Sequence, residues 1–93
     1  MMIEVIKKDQ EEFRIKLEER GNSKEYMVTL GDIYYQDLTQ GKITKEELIK
    51  KAFMFLLERE PKESILSKFD LKIIKSYFPE FEEEISRAIK ENQ

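Results

Sequence analysis

Phe13-Arg14-Ile15-Lys16-Leu17 and Tyr26-Met27-Val28-Thr29-Leu30 each place apolar side chains at every second position, with Gly21-Asn22-Ser23 between them. A period of two is that of a strand buried on one face only. Gly and Asn accept positive φ, so the middle segment reads as the loop of an antiparallel hairpin. Phe13, Ile15 and Leu17 then share a face with Tyr26, Val28 and Leu30. Upstream, Ile3 and Val5 continue the alternation and fit a third strand, which puts the sheet at two or three strands. The competing reading of residues 9–20 is a helix capped by Asp9, since Gln, Glu, Lys and Arg are good helix formers. Phe13 and Leu17 would share one face of that helix, but Ile15 would point away, and the strand fits better.

Downstream, Gly31 breaks the strand, and Asp32 is placed to cap a short helix that runs through Leu38 and ends at Gly41. Thr44-Lys45-Glu46-Glu47 has the spacing of a capping box, in which the Thr hydroxyl and the Glu47 carboxylate each take an unpaired backbone N–H. The helix it opens is expected to run to about Glu60, because Pro61 lacks a donor and disfavours helical geometry before it. At 100° per residue, Leu48, Ile49, Ala52, Phe53, Phe55, Leu56 and Leu57 cover an arc of roughly 200°, with Met54 outside it. One packing partner cannot cover so wide an arc. The helix is therefore expected in the middle of the domain, between the sheet and either the C-terminal helices or a second copy of the chain.

After Pro61 the pattern predicts short helices. Ile65, Leu66 and Phe69 fall on one face, Asp70 is a further N-cap, Ile73, Ile74 and Tyr77 make the next face, and Pro79 takes a first-turn position. The last helix places Phe81, Ile85, Ala88 and Ile89 at i, i+4, i+7 and i+8. Its Glu82, Glu83 and Glu84 come early and Arg87 and Lys90 late, which complements the helix dipole.

The 93 residues include no Cys, His or Trp. Disulfides, thiolate nucleophiles and zinc or iron–sulfur sites built on Cys are excluded, and with them the usual histidine base and metal ligand. A single domain is expected from this length. The longest apolar run, Ala52 to Leu57, is far shorter than a bilayer span, and no signal-peptide pattern opens the chain, so a cytoplasmic protein is expected. Charge is spread evenly: six basic against seven acidic residues in 1–30, five against six in 31–60, and six against seven in 61–93, which is −1 in each third. The excess of Glu and Lys over Asp and Arg, without cysteine, is a composition expected of a thermophile.

Few residues suggest chemistry. Glu80, Glu82, Glu83 and Glu84 form the densest acidic cluster but lack the interleaved Asp, Asn and Gly of a calcium loop, and they read as solvated helix-start residues. The five serines have no histidine to activate them. Arg14, Lys16, Arg59 and Lys62 are interleaved with glutamates and form no basic stripe. Tyr34 and Tyr35, being adjacent, point about 100° apart on a helix, so only one can readily join Ile33 and Leu38 in the core. The other is the candidate exposed anchor for a protein partner.

Phe55-Leu56-Leu57-Glu58-Arg59-Glu60-Pro61-Lys62-Glu63-Ser64-Ile65-Leu66, with Phe69-Asp70-Leu71 and Tyr77-Phe78-Pro79-Glu80-Phe81-Glu82, resembles an uncharacterised family of short bacterial proteins. The likeness extends back through Leu38-Thr39-Gln40-Gly41 and Glu46-Glu47-Leu48. It implies family membership and brings no substrate, cofactor or site with it. Residues 26–60, a strand, a short helix, a Gly-Lys-Ile-Thr turn and a helix opening Thr44-Lys45-Glu46-Glu47-Leu48-Ile49, resemble the ribbon-helix-helix proteins. That likeness implies a DNA-binding transcriptional regulator or antitoxin, with a strand pair from a dimer in the major groove. The first helix is about one turn short of that fold, and Glu25, Met27 and Thr29 occupy the face that would read DNA.

The expectation is thus an α+β domain: an N-terminal antiparallel β-hairpin of two or three strands packed on a central helix, followed by short C-terminal helices. Phe53, Leu56, Ile65, Phe69, Ile74, Phe78 and Phe81 should be largely buried. A non-enzymatic interaction or structural module is expected, without catalytic, cofactor-binding or metal-binding residues. Its expected partner is a second copy or another protein; nucleic acid and membrane are not expected.

Overall fold

The computed structural model describes residues 1–91. Three antiparallel strands, β1 (Met2–Lys7), β2 (Glu12–Glu19) and β3 (Asn22–Thr29), are followed by α1 (Asp32–Thr39), α2 (Lys45–Leu57), a fourth strand β4 (Lys68–Asp70), the single turn α3 (Ile74–Tyr77) and α4 (Phe81–Glu91). The sheet order is β1-β2-β3-β4, with β4 parallel to β3. The α+β reading stands, and the N-terminal alternation does form a third strand.

The period of two does what it should. Phe13, Ile15, Leu17, Tyr26, Val28 and Leu30 are all buried on one side of the sheet. Glu19 pairs with Asn22 across a turn of two residues, Arg20 and Gly21, with φ of 51° and 83°. Two positive φ values in a two-residue hairpin loop are the twist-compatible turn type. The expected loop Gly21-Asn22-Ser23 is therefore shorter and earlier: Arg20 takes the left-handed position, and Asn22 and Ser23 already belong to β3.

α2 crosses the inner face of this sheet. Thr44 caps it, accepting from the Glu47 N–H at 3.0 Å while the Glu47 carboxylate accepts from the Thr44 N–H at 3.0 Å. Thr44→Ala should lower stability by about 1 kcal/mol in urea denaturation. The bonds from Thr44 hold the Glu47 carboxyl below the usual carboxylate range. A depressed folded pKa stabilises above the unfolded value and is lost as pH falls through the folded one, so the capping contribution should fade in acid.

Leu48, Ile49, Ala52 and Phe53 are fully buried, Phe55 and Leu56 nearly so, and Met54 is exposed. Phe53 meets the sheet side, 5.1 Å from the Tyr26 ring and 6.0 Å from Phe69. Phe55 meets the other side, 5.1 Å from Phe81 and 5.8 Å from Phe78, both edge-on. The wide apolar arc is thus covered by the sheet and by the chain's own C-terminal part. α2 ends a turn before Glu60, because the N–H groups of Arg59 and Glu60 both turn back to the Leu56 carbonyl at 2.9 Å ahead of Pro61.

Four further local expectations are corrected. Asp32 is not a cap: Gly31 holds the cap position of α1, and the Asp32 carboxylate pairs with the Lys45 ammonium, which also donates to the carbonyls of Gln10 and Leu30 at 3.0 and 3.1 Å. Ile33 is 81% exposed, since Tyr34, Tyr35 and Leu38 define the inner face of α1 and Ile33 lies almost opposite their mean direction. The stretch around Ile65–Phe69 is not a helix; after a single 3₁₀ turn at Lys62–Ser64 the chain extends into β4. Pro79 is not within α4, which begins at Phe81 after a Pro79-Glu80 turn closed by the Phe81 N–H on the Phe78 carbonyl. Of the expected core, Phe53, Leu56, Ile65, Phe69, Ile74 and Phe81 are buried and Phe78 partly so.

Candidate functional site: an apolar groove beside the fourth strand

The segment from Glu58 to Phe78 is fixed by polar bonds at several points, and those bonds leave a groove between its turns. Tyr26 donates its hydroxyl to the Lys62 carbonyl at 2.7 Å, and Lys24 reaches the carbonyls of Lys62 and Glu63 at 3.4 Å, so β3 holds the 3₁₀ turn. Burial, with Glu63 nearby, pushes the Tyr26 phenol up to about 12, so it stays a donor well into alkaline pH. The Met27 N–H donates to the Ser67 carbonyl at 2.8 Å and starts β4. Asp70 ends it: its carboxylate accepts from the Thr29 hydroxyl at 2.7 Å and from the Lys72 N–H at 3.1 Å, capping the 3₁₀ turn Leu71–Ile73 as the sequence predicts.

Between these anchors lies a cavity of about 310 Å³. Leu56, Ile65, Phe69 and Ile74 form its buried floor, while Leu66 (50%), Ile73 (38%) and Tyr77 (63%) stand exposed around it. Ile73 and Tyr77, expected to help build a buried face with Ile74, instead flank the opening. Three large apolar side chains held open around an apolar floor are unlike scattered surface hydrophobics, and a concave apolar site of a few hundred Å³ is the usual form of a binding pocket. Glu60 is the only charged residue lining it, and it forms no ion pair among the described residues. The groove is therefore apolar with one uncompensated negative charge.

Tyr34 and Tyr35 lie elsewhere. Both are partly buried, and neither is the exposed anchor expected. Tyr34 donates to Glu82 at 2.8 Å beneath the Lys75 ammonium, and burial together with Glu82 raises its phenol pKa. Tyr35 donates to the Ile43 carbonyl. Two tyrosines 100° apart are both accommodated because α1 packs on α4 along one side and meets the Gly41–Thr44 turn on the other.

The acidic cluster is divided in the same way. Glu80 and Glu84 bind Arg59, Glu82 serves Tyr34 and Lys75, and Glu83 pairs with Arg87. Among the described residues no group of three or more Asp or Glu converges as metal ligands. On the outer face of the sheet, Arg14 pairs with Glu25 and Lys16 with Glu18, so the candidate basic residues there are matched by acidic ones. No helix among the described residues is long and apolar enough to cross a membrane. Compared with family models, curated proteins and solved structures, the chain finds no match.

Proposed function

We propose that this protein is a non-enzymatic interaction module, and that the groove beside β4 takes an apolar anchor of a partner segment that also carries a lysine or arginine. The observation that supports it is the combination of exposed Leu66, Ile73 and Tyr77 around a buried apolar floor with the unpaired carboxylate of Glu60. Apolar burial supplies affinity, and the single charge selects the partner's sign. Tyr34 and Tyr35, with their hydroxyls engaged inside the fold, serve this reading as supports for α1 and α4.

Selection of a displayed random-peptide library on the protein is the test. Peptides pairing a large apolar residue with a basic one should be enriched, and Ile73→Glu, on the rim, should weaken them at least tenfold. Glu60→Lys should shift the preference toward acidic peptides. Peptides that bind Ile73→Glu as well as the parent chain would overturn the reading. The ribbon-helix-helix alternative requires residues 24–30 to pair across a two-fold axis, whereas β3 already has β2 along one edge and, at Met27–Thr29, β4 on the other. Salt-sensitive binding of mixed duplex DNA at micromolar protein would revive that alternative.

A further inference from the structure

The opposite edge of the sheet is open, and its chemistry specifies what can close it. Glu19 faces Asn22 across the two-residue turn, so Glu19, Leu17, Ile15 and Phe13 exchange backbone bonds with β3 and the even residues of β2 turn toward β1. The Lys8 N–H on the Glu12 carbonyl at 2.8 Å fits the same alternation. Met2, Glu4 and Ile6 therefore bond β2, and the N–H and C=O groups of Ile3, Val5 and Lys7 point outward, with no protein partner among the described residues. Exposed strand edges are usually shortened, bulged, covered or loaded with charge and proline. β1 is six residues long, with no bulge in its pairing and no proline, and its only charges are Glu4 and Lys7. Its inner-face residues Ile3 and Val5 are only partly buried, whereas Phe13, Ile15 and Leu17 beside them are fully so.

We propose that β1 pairs with β1 of a second copy, antiparallel about a two-fold axis at Val5, making one continuous eight-stranded sheet. Side chains that face each other across such a pair must lie on the same face, which puts the axis on a residue, and of the residues of Met2–Lys7 an axis at Glu4 or at Val5 keeps the most of β1 paired. An axis at Glu4 sets two carboxylates directly opposite each other at the close, non-hydrogen-bonded spacing, which is repulsive. An axis at Val5 sets Val5 against the partner's Val5, Ile3 against the stem of the partner's Lys7, and Glu4 against the partner's Ile6. It also matches every outward group of Ile3, Val5 and Lys7 with a complementary one. The groove lies at the β4 end of the sheet, so the pairing neither needs nor blocks it. A contact of five β1 residues from each chain is small for an interface, which points to a dimer with a dissociation constant on the order of micromolar.

Sedimentation of the full chain from ~1 µM to ~1 mM should show the mass rising from 11.2 kDa toward twice that value. Val5→Pro removes an N–H that points away from β2, so it should leave the β1–β2 ladder intact and weaken the dimer at least tenfold. Because the chain has no cysteine, single cysteines report the register under mild oxidation. Val5→Cys places two Cα atoms about 5.5 Å apart and should cross-link, whereas Glu4→Cys places them about 8 Å apart and should cross-link at least tenfold more slowly. A single-chain mass across the whole range overturns the proposal, as does a dimer that folded Val5→Pro leaves unchanged. Cross-linking at Glu4→Cys as fast as at Val5→Cys does the same, and this comparison decides the matter even if the proline variant fails to fold.

Discussion

Phe53→Ala is expected to be among the most damaging single substitutions in the chain, lowering stability by about 3–5 kcal/mol in urea or thermal denaturation. Phe53 is fully buried on α2, with Tyr26 edge-on at 5.1 Å and Phe69 at 6.0 Å. Its ring therefore joins the central helix to β3 and to β4 at once. Truncation removes the apolar transfer energy and both aromatic contacts, and the rigid sheet beneath cannot collapse into the space. For a domain of this size the loss would lower the melting temperature by on the order of 15–30 °C. Met54→Ala is the internal control: one position along the same helix, its side chain is exposed, and a change within about 0.5 kcal/mol is expected. Comparable losses at the two positions would mean that α2 does not face the sheet as described.

Phe53 and Met54 also show how far the sequence could be read. The 200° arc on α2 and the alternation of β2 and β3 are repeated over several turns or residue pairs, so a single ambiguous side chain does not hide the period. The capping box is a chemical signature in itself, and the structure has both of its bonds. β4 had no such redundancy. Only Phe69 of its three residues faces inward, and Ile65, Leu66 and Phe69 at i, i+1 and i+4 imitate a helical face. What makes the segment a strand is the backbone of Met27, the Thr29 hydroxyl and its bond to Asp70, all some forty residues away in the chain.

The groove was illegible for a related reason. Leu66, Ile73 and Tyr77 are ordinary apolar letters, and nothing local says that their side chains stay outside the core. Their exposure follows from the 3₁₀ turns on either side of β4, which fix where each segment points. Tyr34 and Tyr35 were recognisable as a pair with divergent directions. The acceptors that draw both inward, Glu82 and the Ile43 carbonyl, are properties of the tertiary structure.

Arg59→Ala carries the second large expected effect, about 2 kcal/mol at neutral pH, through the attachment of α4. The guanidinium lies over the Phe55 ring at 3.6 Å, donates to the Phe55 carbonyl at 3.1 Å, and reaches Glu80 at 3.2 Å and Glu84 at 2.7 Å. It thus caps the end of α2 and, with one planar group, binds Glu80 in the turn before α4 and Glu84 in its first turn. Lysine offers a single ammonium without that fork or stacking plane, so Arg59→Lys should recover little. The Glu80 carboxyl is held below the usual carboxylate range first by a backbone N–H bond and then by Arg59. A depressed folded pKa stabilises above the unfolded value, and that contribution disappears as pH falls through the folded one. The difference between the parent chain and Arg59→Ala in urea should therefore be full at pH 7 and clearly smaller near pH 3, while Phe53→Ala, which removes no ionisable contact, should lose about as much at both. An Arg59→Ala deficit that is the same at pH 7 and pH 3 would assign its role to the Phe55 stacking and the α2 carbonyl alone, leaving the carboxylates of α4 without a part in holding the helix.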